Sequence, residues 1–112
     1  MQVDHTVLGV HRNKIYKALV AEGVQGLQID FTVIPKLPMF KKKIAYGPKG
    51  FPWTINKYSK KIKYSEKSCP STYNMLDNKY LGLLLCSYDF KIKDAKNIVN
   101  AFQKVWGNLK LL

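Results

Sequence analysis

The sequence predicts an α+β domain, in which a small, mostly antiparallel sheet has helices packed on one face. Three observations lead to this prediction. Residues 91–109 carry one broad apolar stripe at helical spacing. Residues 26–31 and 80–86 have the apolar patterns of short strands. The chain has 112 residues, enough for one compact domain, and we expect that domain to include residues 1–112.

The first third of the chain is predicted to form a strand, a helix and a second strand. Residues 2–7 have the pattern of a short strand, and residues 10–22 have apolar side chains at helical spacing. Gly23 is the expected C′ residue of this helix, because glycine adopts the left-handed conformation at little cost. One face of the following strand, residues 26–31, should carry Leu27, Ile29 and Phe31.

Residues 32–67 are predicted to form a long, structured loop. Four of the five prolines and ten of the eighteen lysines lie in this segment. Proline lacks a backbone N–H donor and disfavours both helices and central strands. Loops of this length in a compact domain are usually functional or pack against a partner. We expect the loop to be held in place by its aromatic residues Phe40, Tyr46, Phe51 and Trp53.

The last third is predicted to be regular again. Pro70 suits the first turn of a short helix that ends near residue 78. A buried strand over residues 80–86 and a final helix over residues 91–109 follow, with Asp94 and Lys104 placed to complement the helix dipole. The apolar stripe of the final helix consists of Ala95, Ile98, Val99, Phe102, Val105, Trp106 and Leu109.

The charge of the chain is strongly basic, with a formal net charge of +12. Eighteen of the nineteen basic residues are lysine, and the remaining one is Arg12. Arginine is the residue that reads bases bidentately, whereas lysine acts as a hydrated point charge. We therefore expect no specific recognition of nucleic acid, but non-specific attraction to polyanions that fades as salt rises. A phosphorylated small substrate would also suit this charge.

Cysteine content and hydropathy indicate the cellular compartment. Cys69 and Cys86 are too few for a disulfide framework and do not form a metal-binding pair, which predicts reduced thiols in a cytoplasmic protein and no metal site. The longest apolar run, residues 81–86, is far too short to cross a membrane, so no membrane partner is expected. His5 and His11 share no acidic neighbour, which favours surface or capping roles over catalysis.

Six short motifs occur in order over nearly the whole chain. They are His11-Arg12-Asn13-Lys14-Ile15-Tyr16-Lys17-Ala18-Leu19 with Ala21-Glu22-Gly23-Val24, Leu37-Pro38-Met39-Phe40, Phe51-Pro52-Trp53, Cys69-Pro70, Tyr80-Leu81-Gly82-Leu83, and Ala101-Phe102-Gln103-Lys104-Val105-Trp106 with Asn108-Leu109. Together these motifs resemble the C-terminal small domain of the DegT/StrS family of pyridoxal-phosphate-dependent sugar aminotransferases.

This resemblance implies the fold of the C-terminal domain of a fold-type-I transferase. It also implies a large, cofactor-binding domain that precedes this sequence, and a homodimer with active sites at the subunit boundary. Enzymes of the family move an amino group from glutamate or glutamine to a keto-sugar, often nucleotide-linked, or to a keto-cyclitol. The Schiff-base lysine, the acid at the pyridinium nitrogen and the phosphate cradle belong to the large domain in this family. We therefore expect no transaminase activity, no catalytic residue and no bound cofactor in this chain alone.

The resemblance also suggests two substrate-binding candidates. Phe31 matches the position of a family tyrosine but lacks its hydroxyl, and Pro35 stands where histidine or tyrosine is common. Lys36 is the second candidate, as a contact for a sugar or a phosphate. The simpler interpretation, which the sequence favours, makes Phe31 a core strand residue and Lys36 a solvated loop charge.

Two other functions remain open at this point. The chain is either an aminotransferase portion, as a truncated gene product, a split-gene subunit or an artificial cut, or a free-standing non-catalytic module. Such a module would dimerise or bind a partner through the surface that a large domain covers in the family. A basic nucleic-acid-binding domain is the third hypothesis, and the near absence of arginine counts against it.

Overall fold

The computed structural model describes the backbone of residues 1–112 and all side chains except that of Glu66. The helices are α1 (His5–Leu8), α2 (Arg12–Ala21), α3 (Pro38–Lys42), α4 (Lys57–Lys61), α5 (Pro70–Asn74) and α6 (Ile92–Gly107). The strands are β1 (Leu27–Gln28) and β2 (Gly82–Leu83). Short 3₁₀ turns occupy Ile34–Lys36, Glu66–Ser68 and Leu109–Leu111, and a π-helical turn occupies Met75–Lys79.

The sheet is small and antiparallel, which confirms the predicted α+β class. Leu27 pairs with Leu83, and Gln28 pairs with Gly82. An antiparallel bridge also joins Gln2 to Tyr80, just before β2. The regular strands are thus much shorter than the segments predicted for them.

The chain divides into two compact units. Unit 1 consists of Met1–Phe31 and Met75–Leu112, and unit 2 consists of Thr32–Asn74. Unit 1 contains the sheet and the two longest helices, whereas unit 2 contains the segment predicted as a structured loop.

The core of unit 1 lies where α2 packs against α6 beside the sheet. Ile15, Leu19 and Leu81 are completely buried. Burying a large aliphatic side chain contributes roughly 1.5–3 kcal/mol relative to leaving it exposed. The buried residues of this core are Val3, Ile15, Leu19, Val24, Leu81, Ala101 and Val105.

The exit of α2 has the geometry predicted from Gly23. Gly23 has a φ of 86°. The N–H of Val24 donates to the carbonyl of Leu19 at 3.1 Å, and the N–H of Gly23 donates to that of Val20 at 2.9 Å. These two bonds define a Schellman motif, which requires a left-handed C′ residue. Because Val24 and Leu19 both belong to the core, the motif turns the chain from α2 directly into β1.

The N-terminal segment differs from its prediction. Residues 2–7 were expected as a strand, but only Gln2 makes a bridge, and His5–Leu8 form a helical turn. Asp4 causes the change, because its carboxylate accepts the backbone N–H of Thr6 and caps the turn. The Nζ of Lys79 lies 2.6 Å from the same carboxylate. The ammonium of Lys79 and the Thr6 donors hold the pKa of Asp4 well below its usual range.

Helix α6 confirms the strongest sequence prediction, with one correction. The core-facing members of its stripe are Ile98, Phe102, Val105, Trp106 and Leu109. Ala95 and Val99 were assigned to the same stripe but are exposed, and the side chain of Val99 is 53% accessible. An α-helix turns 100° per residue, so a stripe as wide as the predicted one continues past the packed face onto the solvent side.

The strand predicted over residues 80–86 is also shorter than expected. Leu81 and Gly82 are buried, but Leu84, Leu85 and Cys86 are exposed. The regular pairing ends at Leu83, and the N–H of Leu84 makes one further bond, to the carbonyl of Gly26 at 2.9 Å. The apolar run therefore predicted a buried strand correctly only for its first half.

Unit 2 has more regular structure than the predicted loop. Helix α3 begins with Pro38, and α4 begins after Asn56, whose side chain accepts the N–H groups of Tyr58 and Ser59. Both helices follow the capping preferences of proline at N1 and asparagine at the N-cap. Pro70 likewise begins α5, as predicted.

An aromatic cluster forms the interior of unit 2. The rings of Phe40 and Trp53 meet edge to face at 5.8 Å, and Tyr64 lies 5.1 Å from Phe40. The indole N–H of Trp53 donates to the Tyr64 hydroxyl at 2.8 Å. Phe40 and Trp53 thus act as predicted. Tyr46 and Phe51 do not, because they are 75% and 47% exposed.

Candidate functional site

Arg12 organises the part of unit 1 that holds the predicted site residue Phe31. Its guanidinium is buried and donates to three backbone carbonyls, those of Ile29, Asp77 and Tyr80, at 3.0, 2.8 and 2.7 Å. These carbonyls belong to the exit of β1 and to the turn that leads into β2. Arginine suits this position because its fork of fixed donors satisfies several acceptors at once. Arg12 therefore links the backbone that follows β1 to the backbone that precedes β2.

Phe31 lies at the edge of this arrangement. It was predicted as a core strand residue or a substrate contact. The core prediction is wrong, because β1 ends at Gln28 and the Phe31 side chain is 52% exposed. Its ring packs edge to face on that of Tyr80, with centroids 5.5 Å apart. Phe31 thus presents an accessible aromatic face on a fixed base.

The ring of Tyr80 lies against Gly82. A Cβ atom placed on Gly82 would collide with the phenol of Tyr80. The absence of a side chain at Gly82 therefore makes room for the Tyr80 ring, and that ring supports Phe31. Sequence reasoning placed Gly82 in the apolar run of residues 81–86 and in one of the six motifs, without giving it a role. The signal for its role was the tyrosine two residues earlier, on the same face of the strand.

Lys36 belongs to unit 2, whereas Phe31 belongs to unit 1. The Lys36 Nζ lies 4.7 Å from the ring centroid of Tyr73, and the lysine is partly buried. A cation over a tyrosine face is attracted by the ring quadrupole. Lys36 is thus more ordered than the solvated loop charge of the simpler prediction.

A cleft that the sequence did not predict lies between the exit of α2 and the start of α6. Its volume is about 370 Å³, and its lining includes the carboxylates of Glu22, Asp89 and Asp94. Glu22 pairs with Lys104 at 2.7 Å, and Asp94 accepts the backbone N–H of Lys91 at 2.9 Å. Two of the three carboxylates therefore already have partners within the protein.

The histidines have the roles predicted for them. His11 is the N-cap of α2, and its Nδ1 accepts the N–H of Asn13 at 3.3 Å. The His5 ring lies 6.0 Å from that of His11. Among the side chains that the structure describes, no group of three or more histidine, cysteine or carboxylate residues is placed to hold a metal ion.

The lysines of this chain do not fit a Schiff-base site. Such a site needs an amine held in a desolvated pocket. The lysines that are partly buried are Lys36, Lys43 and Lys79. Lys43 donates to the carbonyl of Lys60, Lys79 pairs with Asp4, and Lys36 lies over Tyr73. We therefore derive no step through pyridoxal phosphate on this chain.

No protein-family model, curated protein or solved structure matches the chain. Over the described residues, none of the helices is both long enough and apolar enough to span a bilayer.

Proposed function

We propose that this chain is the C-terminal small domain of a pyridoxal-phosphate-dependent aminotransferase of the DegT/StrS type. The complete enzyme would transfer an amino group from glutamate or glutamine to a keto-sugar, often nucleotide-linked, or to a keto-cyclitol. Its large domain would hold the cofactor, and it would act as a cytoplasmic homodimer. The chain alone would be inactive.

The observation that carries this proposal is the position of the motif residues in the core. Six of the seven buried residues of the unit 1 core lie in the motifs that carry the resemblance, and Val3 is the exception. Residues with a structural role are the ones that a fold needs in a fixed order. Three of the six motifs therefore supply most of the buried core of unit 1.

Two further motif residues have roles that only their residue types can fill. Arg12 joins three backbone carbonyls, and Gly23 supplies the left-handed exit of α2. Lysine could not replace Arg12, because its ammonium has no fork of fixed donors. A residue with a Cβ would be strained at Gly23, where φ is 86°. A shared fold would require these two residue types at these two positions of the motif.

In this proposal Phe31 is a substrate contact at the rim of the complete active site. Its accessible ring suits the apolar face of a sugar, and Tyr80 keeps it in position. Lys36 would meet a hydroxyl or a phosphate of the same substrate class. The small domain would thus contribute substrate contacts, while the chemistry takes place on the large domain.

The first test is the coding sequence that precedes Met1. We expect an open frame for a large domain with a Schiff-base lysine, either continuous with this chain or adjacent as a separate gene. The reconstituted enzyme should then aminate a keto-sugar with glutamate. In it, Phe31→Ala should raise KM at least tenfold with little change in kcat, because an aromatic contact that is made equally in ground and transition states affects binding only.

The control for this test is Val7→Ala, since Val7 is 81% exposed on α1 and belongs to none of the six motifs. It should leave KM unchanged. The proposal fails if no large domain is encoded nearby, or if the isolated chain forms a stable, borohydride-reducible aldimine at one lysine.

A further inference from the structure

Unit 2 carries a positive charge of which the proposed function uses only Lys36. Residues 32–74 contain ten lysines and a single acidic residue, Glu66. The sequence spreads these lysines over 32 positions, whereas the structure gathers several of them. Lys41 and Lys42 end helix α3, and Lys60 and Lys61 end helix α4. All four are exposed.

Lys43 brings the two lysine pairs together. Its Nζ donates to the backbone carbonyl of Lys60 at 2.7 Å, which ties the end of α3 to the end of α4. Lys43 has a φ of 53° and ends α3 in the left-handed conformation. Its side chain is directed to the end of α4. The bond places the ends of the two helices side by side, and each end has an exposed pair of lysines.

The loop over residues 46–51 lies next to the same junction. A Cβ on Gly50 would be 3.3 Å from the carbonyl oxygen of Lys43, so the loop passes close to the lysine pairs. Its ends are joined by a bridge between Tyr46 and Phe51, whose rings are 6.0 Å apart. Both rings are exposed, and the exposed Lys49 lies within the loop between them.

A third exposed ring belongs to α4. Tyr58 is 70% exposed, and the Nζ of Lys57 lies 5.4 Å from its ring centroid. Exposed aromatic rings that alternate with lysines are the composition of surfaces that stack bases and neutralise phosphates. We call this set the lysine–aromatic surface and define it by Lys41, Lys42, Lys60, Lys61, Lys49, Tyr46, Phe51 and Tyr58.

We propose that the lysine–aromatic surface binds single-stranded nucleic acid without sequence preference. Lysines contact the phosphates, and bases stack on Tyr46, Phe51 and Tyr58. Every base has a π-face, so stacking needs no hydrogen-bond readout. The near absence of arginine, which counts against reading of base edges, is compatible with this mode.

Two other anionic partners fit the surface less well. Binding at a membrane interface by an amphipathic helix needs a long apolar face, but α3 and α4 have five residues each. Duplex DNA has its bases stacked inside, so it offers phosphates to the lysines and nothing to the exposed rings. A single strand offers phosphates to the lysines and unstacked bases to the aromatic rings.

The test is fluorescence anisotropy of a labelled 20-nucleotide oligo(dT), titrated with the full 112-residue chain over a series of salt concentrations. We expect saturable binding at 0.1 M salt that weakens linearly in log K against log salt. A duplex of the same length should bind more weakly. Vesicles with 30% phosphatidylserine serve as the membrane arm, and we expect no binding to them.

Two pairs of variants separate the surface from the overall charge. Lys41→Gln with Lys42→Gln should lower the salt slope by about 1.4, since each phosphate contact on a single strand contributes about 0.7. Lys93→Gln with Lys96→Gln removes the same charge from exposed positions on α6 and should leave the slope unchanged.

The aromatic pair tests stacking. Tyr46→Ala should weaken oligo(dT) binding roughly tenfold, and Tyr46→Trp should restore it, because a larger ring stacks at least as well. Tyr88→Ala, at an exposed ring of unit 1, should have no effect. Far-UV circular dichroism of each variant establishes that it remains folded.

The proposal is overturned if oligo(dT) does not bind at 0.1 M salt, if vesicles bind while oligo(dT) does not, or if both lysine pairs change the slope equally. The aminotransferase proposal is tested separately, by the coding sequence before Met1 and by the kinetics of Phe31→Ala in unit 1, so these results do not decide it.

Discussion

The two units of this protein are stabilised by different kinds of contact. Unit 1 has an aliphatic core made where α2 meets α6, with Ile15, Leu19 and Leu81 fully buried. Unit 2 has an aromatic cluster with one side-chain hydrogen bond, between Trp53 and Tyr64, and helices of only five residues. The difference shows that one short chain combines a conventional core with a segment that relies on a few rings and caps.

The comparison also separates charge from packing. Unit 1 contains six of the seven acidic residues, and two of them form ion pairs with Lys79 and Lys104. Unit 2 has an excess of lysine, and Lys43 uses its charge on a backbone carbonyl. Charge in unit 1 is therefore partly balanced within the fold, whereas eight of the ten lysines of unit 2 are exposed.

The largest effect on stability is expected from Arg12→Met in unit 1. Methionine keeps the apolar stem but removes the donors to the carbonyls of Ile29, Asp77 and Tyr80. Leaving buried acceptors without partners should lower the free energy of unfolding by about 2–4 kcal/mol. Urea titration measures this loss. Lys17→Met, at an exposed position of the same helix, is the control and should change stability by less than about 0.5 kcal/mol.

A smaller effect is expected from Tyr64→Phe in unit 2. The substitution keeps the ring contacts with Phe40 but leaves the Trp53 indole N–H without its acceptor. We expect a loss of about 1 kcal/mol and a shift in tryptophan emission. Tyr58→Phe removes a hydroxyl from an exposed ring and should do neither. Equal stability of the two variants would mean that the aromatic cluster does not depend on this bond.

The smallest effect should come from Asp4, which caps α1. Its pKa in the folded state is depressed, chiefly by Lys79, so its contribution is fully present above the ordinary carboxyl pKa of about 4. As the pH falls below that value, the unfolded chain takes up the proton first and the contribution is lost. Asp4→Asn should therefore destabilise the chain at pH 7, and its difference from the wild type should shrink steadily as the pH falls from about 4 to about 2.

The matched variant for this prediction is Lys79→Gln, which removes the partner instead of the carboxylate. It should reproduce the same pH dependence in thermal melting. A constant difference between Asp4→Asn and the wild type from pH 7 to pH 2 would contradict the role given to this pair.

Periodicity predicted unit 1 better than unit 2. The helices at Arg12–Ala21 and Ile92–Gly107 and the turn at Gly23 follow from apolar spacing and from the needs of a left-handed residue. The ends of the strands did not follow, because strand length depends on the partner. The ladder includes only two residues of β1, and beyond it the N–H of Leu84 donates to the carbonyl of Gly26. Local pattern contains no information about such a limit.

The site residues show the same division. Phe31 was singled out by its motif position, but its exposure and its support by Tyr80 depend on contacts across 49 positions of sequence. Tyr64 was missed for a similar reason, since its partners Phe40 and Trp53 are not at helical or strand spacing from it. The excess of lysine in the lysine–aromatic surface could be read from composition. The hydrogen bond of Lys43 that brings the ends of α3 and α4 together could not.

Gly82 has a consequence that reaches beyond the strand it belongs to. Even a single methyl group at this position would displace the phenol ring of Tyr80. The ring of Phe31 packs on that phenol. Gly82→Ala, at a buried position, would thus change the orientation of the exposed Phe31 ring, which is far from it in the sequence. The smallest residue in the sheet governs the orientation of the most accessible aromatic in its unit.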